Sequence, residues 1–182
     1  DGATVLRPAP SRAALAADPR NAACFPCVPY FGRLAGVTRG ETFHRLAPTL
    51  AACDPDDALH GEGWIGPWTV TARSVSSLTM RLERAPAPGR YPFPYAAEQT
   101  LSLSDDGLAV SLSIDNAGDT PMPAGLGLHP YFQRHPATTL SFSASGRWTP
   151  PAGPFETPPD ALAGHAPMSL PVACDHTYTE PK

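Results

Sequence analysis

EQTLSLSDDGLAVSLSID, residues 98–115, is the stretch that decides the fold class. Leu101 and Leu103 alternate with Ser102 and Ser104, and Leu108, Val110, Leu112 and Ile114 alternate with small or polar residues. A period of two places those apolar side chains on one face of an extended chain. Between the two runs, Asp105-Asp106-Gly107 is turn chemistry, with a glycine available for positive φ. The pattern predicts a β-hairpin over 96–115.

Working outward, WTVTARSV (68–75) and LTMRLER (78–84) read as a strand pair joined at Ser76-Ser77, with Leu78, Met80 and Leu82 on one face. The proline-rich hinge APAPGRYPFPY (85–95) separates that pair from the hairpin. GLGLHPYFQRH (125–135) places His129 before a proline, which disfavours the α region and extends the backbone there. TTLSFSA (138–144) is a further strand, and 149–171 is proline-rich with little alternation, a long loop. At the other end, DGATVLRP (1–8) reads as a short strand, and SRAALAADPRN (11–21) as a serine-capped alanine-rich helix stopping at Asp18-Pro19. CFPCVPYFGRL (24–34) is an irregular, buried apolar run that delivers Arg33. ALHGEGWIGPW (58–68) is loop, packing tryptophans and glycines around His60. The sum is an all-β protein with antiparallel layers in a sandwich-like fold, its connections carrying the polar chemistry.

Composition removes whole classes of function. The 182 residues suffice for one medium domain with a core. Thirteen basic and 17 acidic residues give a net charge of −4, and the twelve arginines are scattered, so nucleic acid is excluded as an expected partner. No run is long and apolar enough to span a membrane, and no cleavable leader is visible, although the chain starts at Asp1. Lys182 is the one lysine, which removes Schiff-base and phosphate-loop chemistry. No G-x-S-x-G occurs, and no G-x-G-x-x-G is read as following a strand, so nucleotide binding and α/β-hydrolase chemistry drop out. Cys24 and Cys27 form one C-x-x-C without the helix a redox motif opens or the second pair a zinc site wants, and Cys53 and Cys174 stand alone. Neither metal nor functional disulfide is expected, and reduced buried thiols suit a cytoplasmic protein.

Of the histidines at 44, 60, 129, 135, 165 and 176, only His60 and His129 sit in a glycine-aromatic frame. Each alone is more often a structural histidine than a catalyst. By the same standard Arg33 is an ion-pairing residue, Glu62 a lone surface carboxylate, Asp175 a turn residue, and Trp64 and Trp68 core. An aromatic face beside polar side chains also suits a sugar ring.

In order and spacing, CFPCVPYFGRL, LHGEGW, YPFPYAAEQTLSL and MPAGLGLHPYF together resemble the aldose 1-epimerase (galactose mutarotase-like) family, from DGATVLRP to CDHTY. The resemblance implies a large antiparallel β-sandwich, the galactose mutarotase-like supersandwich, with residues 1–182 as the central part of one such domain and truncated at both ends. It implies interconversion of the α and β anomers of a free aldose without metal or organic cofactor. His129, in HPYF, matches the histidine that protonates the ring oxygen. His60, in LHGEGW, matches a second histidine that hydrogen-bonds near that oxygen. Arg33 and Asp175 match residues that hold sugar hydroxyls, and Trp64 and Tyr131 join them as substrate-binding aromatics. Ring opening needs an acid at the ring oxygen and a base at the anomeric hydroxyl, and histidine titrates in the right range for the first. Two departures stand out. Arg33 follows Gly32, where members of the family often place an asparagine that contacts substrate, and the family's general-base glutamate belongs downstream of CDHTY, past Lys182. The alternative from another class is a catalytically silent carbohydrate-binding β-sandwich. A relative acting on a phosphorylated sugar is disfavoured, because few basic residues cluster near these motifs.

Overall fold

The computed structural model describes residues 4–133 and, after them, the strand segments 139–140, 146–148, 160–161, 168–169 and 177–179. The chain divides into two compact units, Asp1–Gln133 and Arg134–Lys182.

In the first unit, helix α1 (Arg12–Ala17) starts where Ser11 accepts the Ala14 N–H at 3.0 Å, and it ends before Asp18-Pro19 as the sequence predicts. The strands are β1 (Cys24–Cys27), β2 (Arg33–Leu34), β3 (Gly36–Arg39), β4 (Thr42–Arg45), β5 (Ala58–Leu59), β6 (Thr69–Arg73), β7 (Ser77–Arg84), β8 (Tyr95–Ser104), β9 (Gly107–Asn116) and β10 (Gly127–Pro130). Their ladders are antiparallel: β6-β7-β8-β9 form one four-stranded sheet, and β1-β10, β2-β5 and β3-β4 are separate pairs. The protein is all-β, as the alternation requires. The second unit is described only as strand pairings: β11 (Thr139–Leu140) with β14 (Met168–Ser169), and β12 (Gly146–Trp148) between β13 (Asp160–Ala161) and β15 (Thr177–Thr179). The long loop expected over 149–171 thus contains strand segments at 160–161 and 168–169; its other residues lie outside the described ones.

The predicted hairpin is β8-β9. Its register runs from Tyr95↔Asn116 to Ser104↔Gly107, leaving Asp105 and Asp106 as a two-residue turn, with Gly107 at φ +150°. The β6-β7 connection is also as read, except that Ser77 already belongs to β7. There the Ser74 hydroxyl accepts the Ser77 N–H at 3.0 Å. One face of the sheet carries Leu82, Ala97 and Ile114 in a row, opposite polar residues such as Arg81, Glu98 and Ser113 on the other. Leu82 and Ala97 join Val28, Tyr91, Phe93 and Tyr95 in the main core, with Ile114 packed against it. Burying a side chain such as Leu82 is worth roughly 1.5–3 kcal/mol. Burial fades along the same face, and Leu103 and Leu108 near the turn are exposed.

Two expectations change. Where DGATVLRP is described, at residues 4–8, it makes a single bridge, Leu6↔Phe132, and not a strand; residues 1–3 lie outside the described ones. CFPC is not irregular: it is β1, paired Cys24↔Pro130, Phe25↔His129, Pro26↔Leu128 and Cys27↔Gly127. Its prolines are tolerated for a geometric reason. The Tyr131 N–H bonds the Ala23 carbonyl at 2.9 Å, so the bonded pairs are Ala23/Tyr131, Phe25/His129 and Cys27/Gly127. Pro26 and Pro130 both fall in the intervening pairs, where no inter-strand N–H is required.

Candidate functional site

Phe25 is the centre of the candidate site. Because it pairs across the ladder with His129, the two rings stack, with centroids 4.8 Å apart and planes at 30°. Tyr131, two residues further along the same face, also stacks on His129, at 4.8 Å and 28°, and lies 6.0 Å from Phe25. Phe25, His129 and Tyr131 thus form one cluster in which each ring touches the other two. The Arg7 guanidinium adjoins the cluster, 4.0 Å above the Tyr131 ring, where the ring quadrupole attracts it.

His60 arrives from a different part of the chain. Its ring lies 5.4 Å from that of His129, nearly edge-on at 79°, and 5.9 Å from Phe25. Its backbone is left-handed, with φ +55°, an uncommon conformation for a side-chain-bearing residue. Several contacts hold the turn in that state. The His60 N–H bonds the Gly32 carbonyl at 2.8 Å, and the Gly32 N–H donates to His60 Nδ1 at 3.1 Å. The Trp64 indole N–H reaches the carbonyls of Leu59 at 2.9 Å and Gly61 at 3.1 Å, one on each side of His60. Gly61, at φ +67°, lies so close to the Val28 carbonyl that a Cβ would collide with it. The Glu62 and Gly63 N–H groups both bond that same carbonyl, at 2.8 and 3.0 Å.

Glu62 is not the surface carboxylate expected from sequence. It is buried, one oxygen 3.0 Å from Arg84 Nε and the other 2.8 Å from Arg90 Nη1. The signal in the sequence is weak, since the two arginines come from β7 and from the proline-rich hinge. GEGWIG (61–66) also has the G-x-G-x-x-G spacing and does follow β5, contrary to the sequence reading. It opens no helix; its glycines admit Val28, Leu82 and Arg84 at close range, so the spacing serves packing.

Arg33 lies on β2 next to Gly32 and pairs with Leu59, adjoining His60 along the backbone. Its exposed guanidinium is engaged by Asp54, Nε to Oδ2 at 2.5 Å. That hydrogen bond, helped by the N–H groups of Asp57 and Asp56, holds the Asp54 carboxyl below its ordinary value. Four of the six expected site residues, His60, His129, Trp64 and Tyr131, therefore gather around Phe25, and Arg33 stands beside them on an ion pair. Asp175 lies outside the described residues. Sequence reasoning missed Phe25, Gly32 and Asp54, which acquire meaning only through strand pairing.

Two surface cavities lie apart from this cluster. One, of about 250 Å³, is lined by Tyr30, Thr49, Glu62, Arg90 and Tyr91 among others; another, of about 380 Å³, lies over Arg45, Pro55 and Asp56. Neither includes His60, His129 or Arg33. Cys24, Cys27 and Cys53 are free thiols, and burial pushes that of Cys27 up to about 12, away from reactive thiolate.

Comparison with known proteins places this geometry in context. The uncharacterized protein YphB of Escherichia coli is 35% identical over 181 residues, which cover 94% of this chain and 58% of YphB. YihR of the same organism is 33% identical over 75 residues, 41% of this chain and 24% of its own. The chain thus spans little more than half of YphB and less of YihR. Among solved structures, a candidate aldose 1-epimerase from Escherichia coli superposes with a TM-score of 0.71 at 30% identity, over 92% of this chain and 56% of that one. Slr1438 of Synechocystis gives 0.55 at 25% identity, over 68% and 42%. The sequence profile described as aldose 1-epimerase matches residues 1–153, a span that contains β1 to β10 and both histidines of the cluster. With strands, histidine pair and profile in agreement, the chain belongs to the aldose 1-epimerase family.

Proposed function

We propose that this chain forms part of one β-sandwich domain, residues 1–182, that binds a free aldose and takes part in interconverting its anomers. The observation that carries the reading is the pair of imidazoles, His60 and His129, brought to 5.4 Å from distant parts of the chain around Phe25. In this reading His129 protonates the ring oxygen as its bond to the anomeric carbon breaks, the anomeric hydroxyl gives its proton to a separate base and becomes the carbonyl, and both transfers reverse when the ring closes on the other face. His60 hydrogen-bonds near the same oxygen. Arg33 and Asp175 hold hydroxyl groups, and Tyr131 and Trp64 supply the aromatic surroundings that suit a sugar's apolar face. Glu62 is assigned no proton transfer, because both its oxygens are held by arginines.

No helix among the described residues is long and apolar enough to cross a membrane. A cytoplasmic location is part of this proposal and fits the free thiols.

The test is polarimetry of freshly dissolved α-glucose and α-galactose with the 182-residue chain, paired with NMR of the two imidazoles during sugar titration. Acceleration that drops about 10²-fold in His129→Gln supports the acid role. Sugar-induced shifts at both histidines without acceleration select the silent carbohydrate-binding alternative, for which the arginine-clamped Glu62 is the supporting observation. Neither acceleration nor shift overturns both.

A further inference from the structure

We propose that Gly32 is a positioning residue that fixes the tautomer of His60, holding it as the neutral imidazole with its proton on Nε2. The inference rests on the aldose-binding reading for its functional meaning, but its geometry stands apart from that reading. A backbone N–H can only donate, so the Gly32 N–H at 3.1 Å from Nδ1 makes that nitrogen an acceptor. A neutral imidazole accepting at Nδ1 carries its hydrogen on Nε2. Protonation would place a second N–H against the first, so a charged His60 has to give up the bond.

The bond is built into the fold at both ends. Gly32 and His60 clasp each other twice, through His60 N–H to the Gly32 carbonyl at 2.8 Å and Gly32 N–H to Nδ1. The adjoining Arg33↔Leu59 pair of β2 and β5 sets the spacing. Both residues have positive φ, +79° at Gly32 and +55° at His60, and an L side chain rarely adopts such a backbone. That conformation is unfavourable for a histidine, and the clasp is what it secures. Among the described residues the rings of Phe25, Trp64 and His129 pack about this imidazole.

The consequence is a division of labour between two like side chains. His60 presents a fixed donor from Nε2 and moves no proton, which leaves the moving proton to His129. The resemblance assigns the ring-oxygen proton to His129 and a hydrogen bond to His60; the Gly32 amide supplies a physical reason for the second assignment.

The test uses nitrogen-15 spectra of the imidazoles in the 182-residue chain near neutral pH, with the His60 signals identified by their loss in His60→Asn. The expected pattern is an unprotonated Nδ1 and a protonated Nε2. A proton on Nδ1, or a rapidly averaged mixture of tautomers, overturns the proposal. Two variants give an independent reading. Asparagine places its carbonyl oxygen where Nδ1 stands, so His60→Asn keeps the Gly32 amide protected from hydrogen exchange. Glutamine places its amide near Nε2, so in His60→Gln the Gly32 amide exchanges faster by up to about tenfold, the scale of one lost hydrogen bond. Equal Gly32 protection in both variants refutes the clasp. Sugar titration of the unaltered chain separates the two readings. A chain that shows the Nε2 tautomer but binds no aldose contradicts the function proposed above and leaves the role of Gly32 intact.

Discussion

The β8-β9 hairpin and the β1-β10 ladder are both antiparallel pairs, yet they hold together in different ways. Along β8-β9 most of the ten residue pairs follow one rule, apolar on one face and polar on the other, with Gln99 and Asn116 as exceptions on the first face and Ala96 and Ala109 on the second. Any one pair is replaceable in kind, and burial grades smoothly from Tyr95, 1% exposed, to Leu103, 63% exposed. Along β1-β10 four residue pairs suffice, and one of them, Phe25↔His129, founds the aromatic cluster that also engages Tyr131 and Arg7. Regular ladders distribute stability, whereas the short ladder concentrates position. Substitutions in the first should change how much stability there is; in the second they should also change where groups sit.

The largest effects test that contrast directly. Phe25→Ala should cost on the order of 3–5 kcal/mol and Leu82→Ala on the order of 2–5 kcal/mol, both read from urea unfolding. Only the Phe25 change should move the His129 imidazole signals strongly, because only it removes a stacked ring. Equal displacement in both variants would erase the distinction. Next comes Glu62→Gln, which leaves Arg84 and Arg90 without a charged partner. A loss of about 2–4 kcal/mol is expected, reduced from the fully buried case because Arg90 is half exposed. A loss below about 0.5 kcal/mol would show that the clamp holds the turn for geometry alone.

Smaller effects sharpen the comparison within the sheet. Leu103→Ala, at the exposed end of the face that Leu82 buries, should change stability by no more than about 0.5 kcal/mol. Tyr95→Phe removes a buried hydroxyl that has no hydrogen-bond partner among the described residues. It should be neutral or stabilising by up to about 1 kcal/mol, and clear destabilisation would reveal a partner for that hydroxyl.

The smallest effect is electrostatic. Hydrogen bonding to Arg33 lowers the folded pKa of Asp54 from its ordinary 3.8. The resulting stabilisation is complete above that ordinary value and is lost as pH falls through the lowered folded value. Arg33→Met should therefore raise the Asp54 pKa toward 3.8, followed by carboxyl NMR, and flatten the acid limb of the stability profile. An unchanged Asp54 titration would mean that the Asp56 and Asp57 amides hold the carboxylate unaided.

The same contrast explains what could be read in the sequence. The hairpin was legible because alternation is a local code: Leu101 to Ile114 state their faces without reference to any other segment. The β1 strand was not, because Pro26 argues against a strand until its register places it in a non-bonded pair. His60 and His129 were legible as types in a glycine-aromatic frame, and the family resemblance joined them. Phe25 was illegible, since a phenylalanine between a cysteine and a proline signals nothing until His129 lies opposite. Glu62 was misread for the same reason, as its arginine partners come from β7 and from the hinge.

The indole of Trp64 grips the carbonyls on both sides of His60, and the thermodynamic signature of the aldose binding proposed above follows from that. The turn has already surrendered its conformational entropy when the chain folds, so a ligand that meets His60 has little left to immobilise there. Association at this end of the site should then be favoured by rigidity present beforehand, with any entropic penalty arising from the ligand and from the long, exposed Arg33.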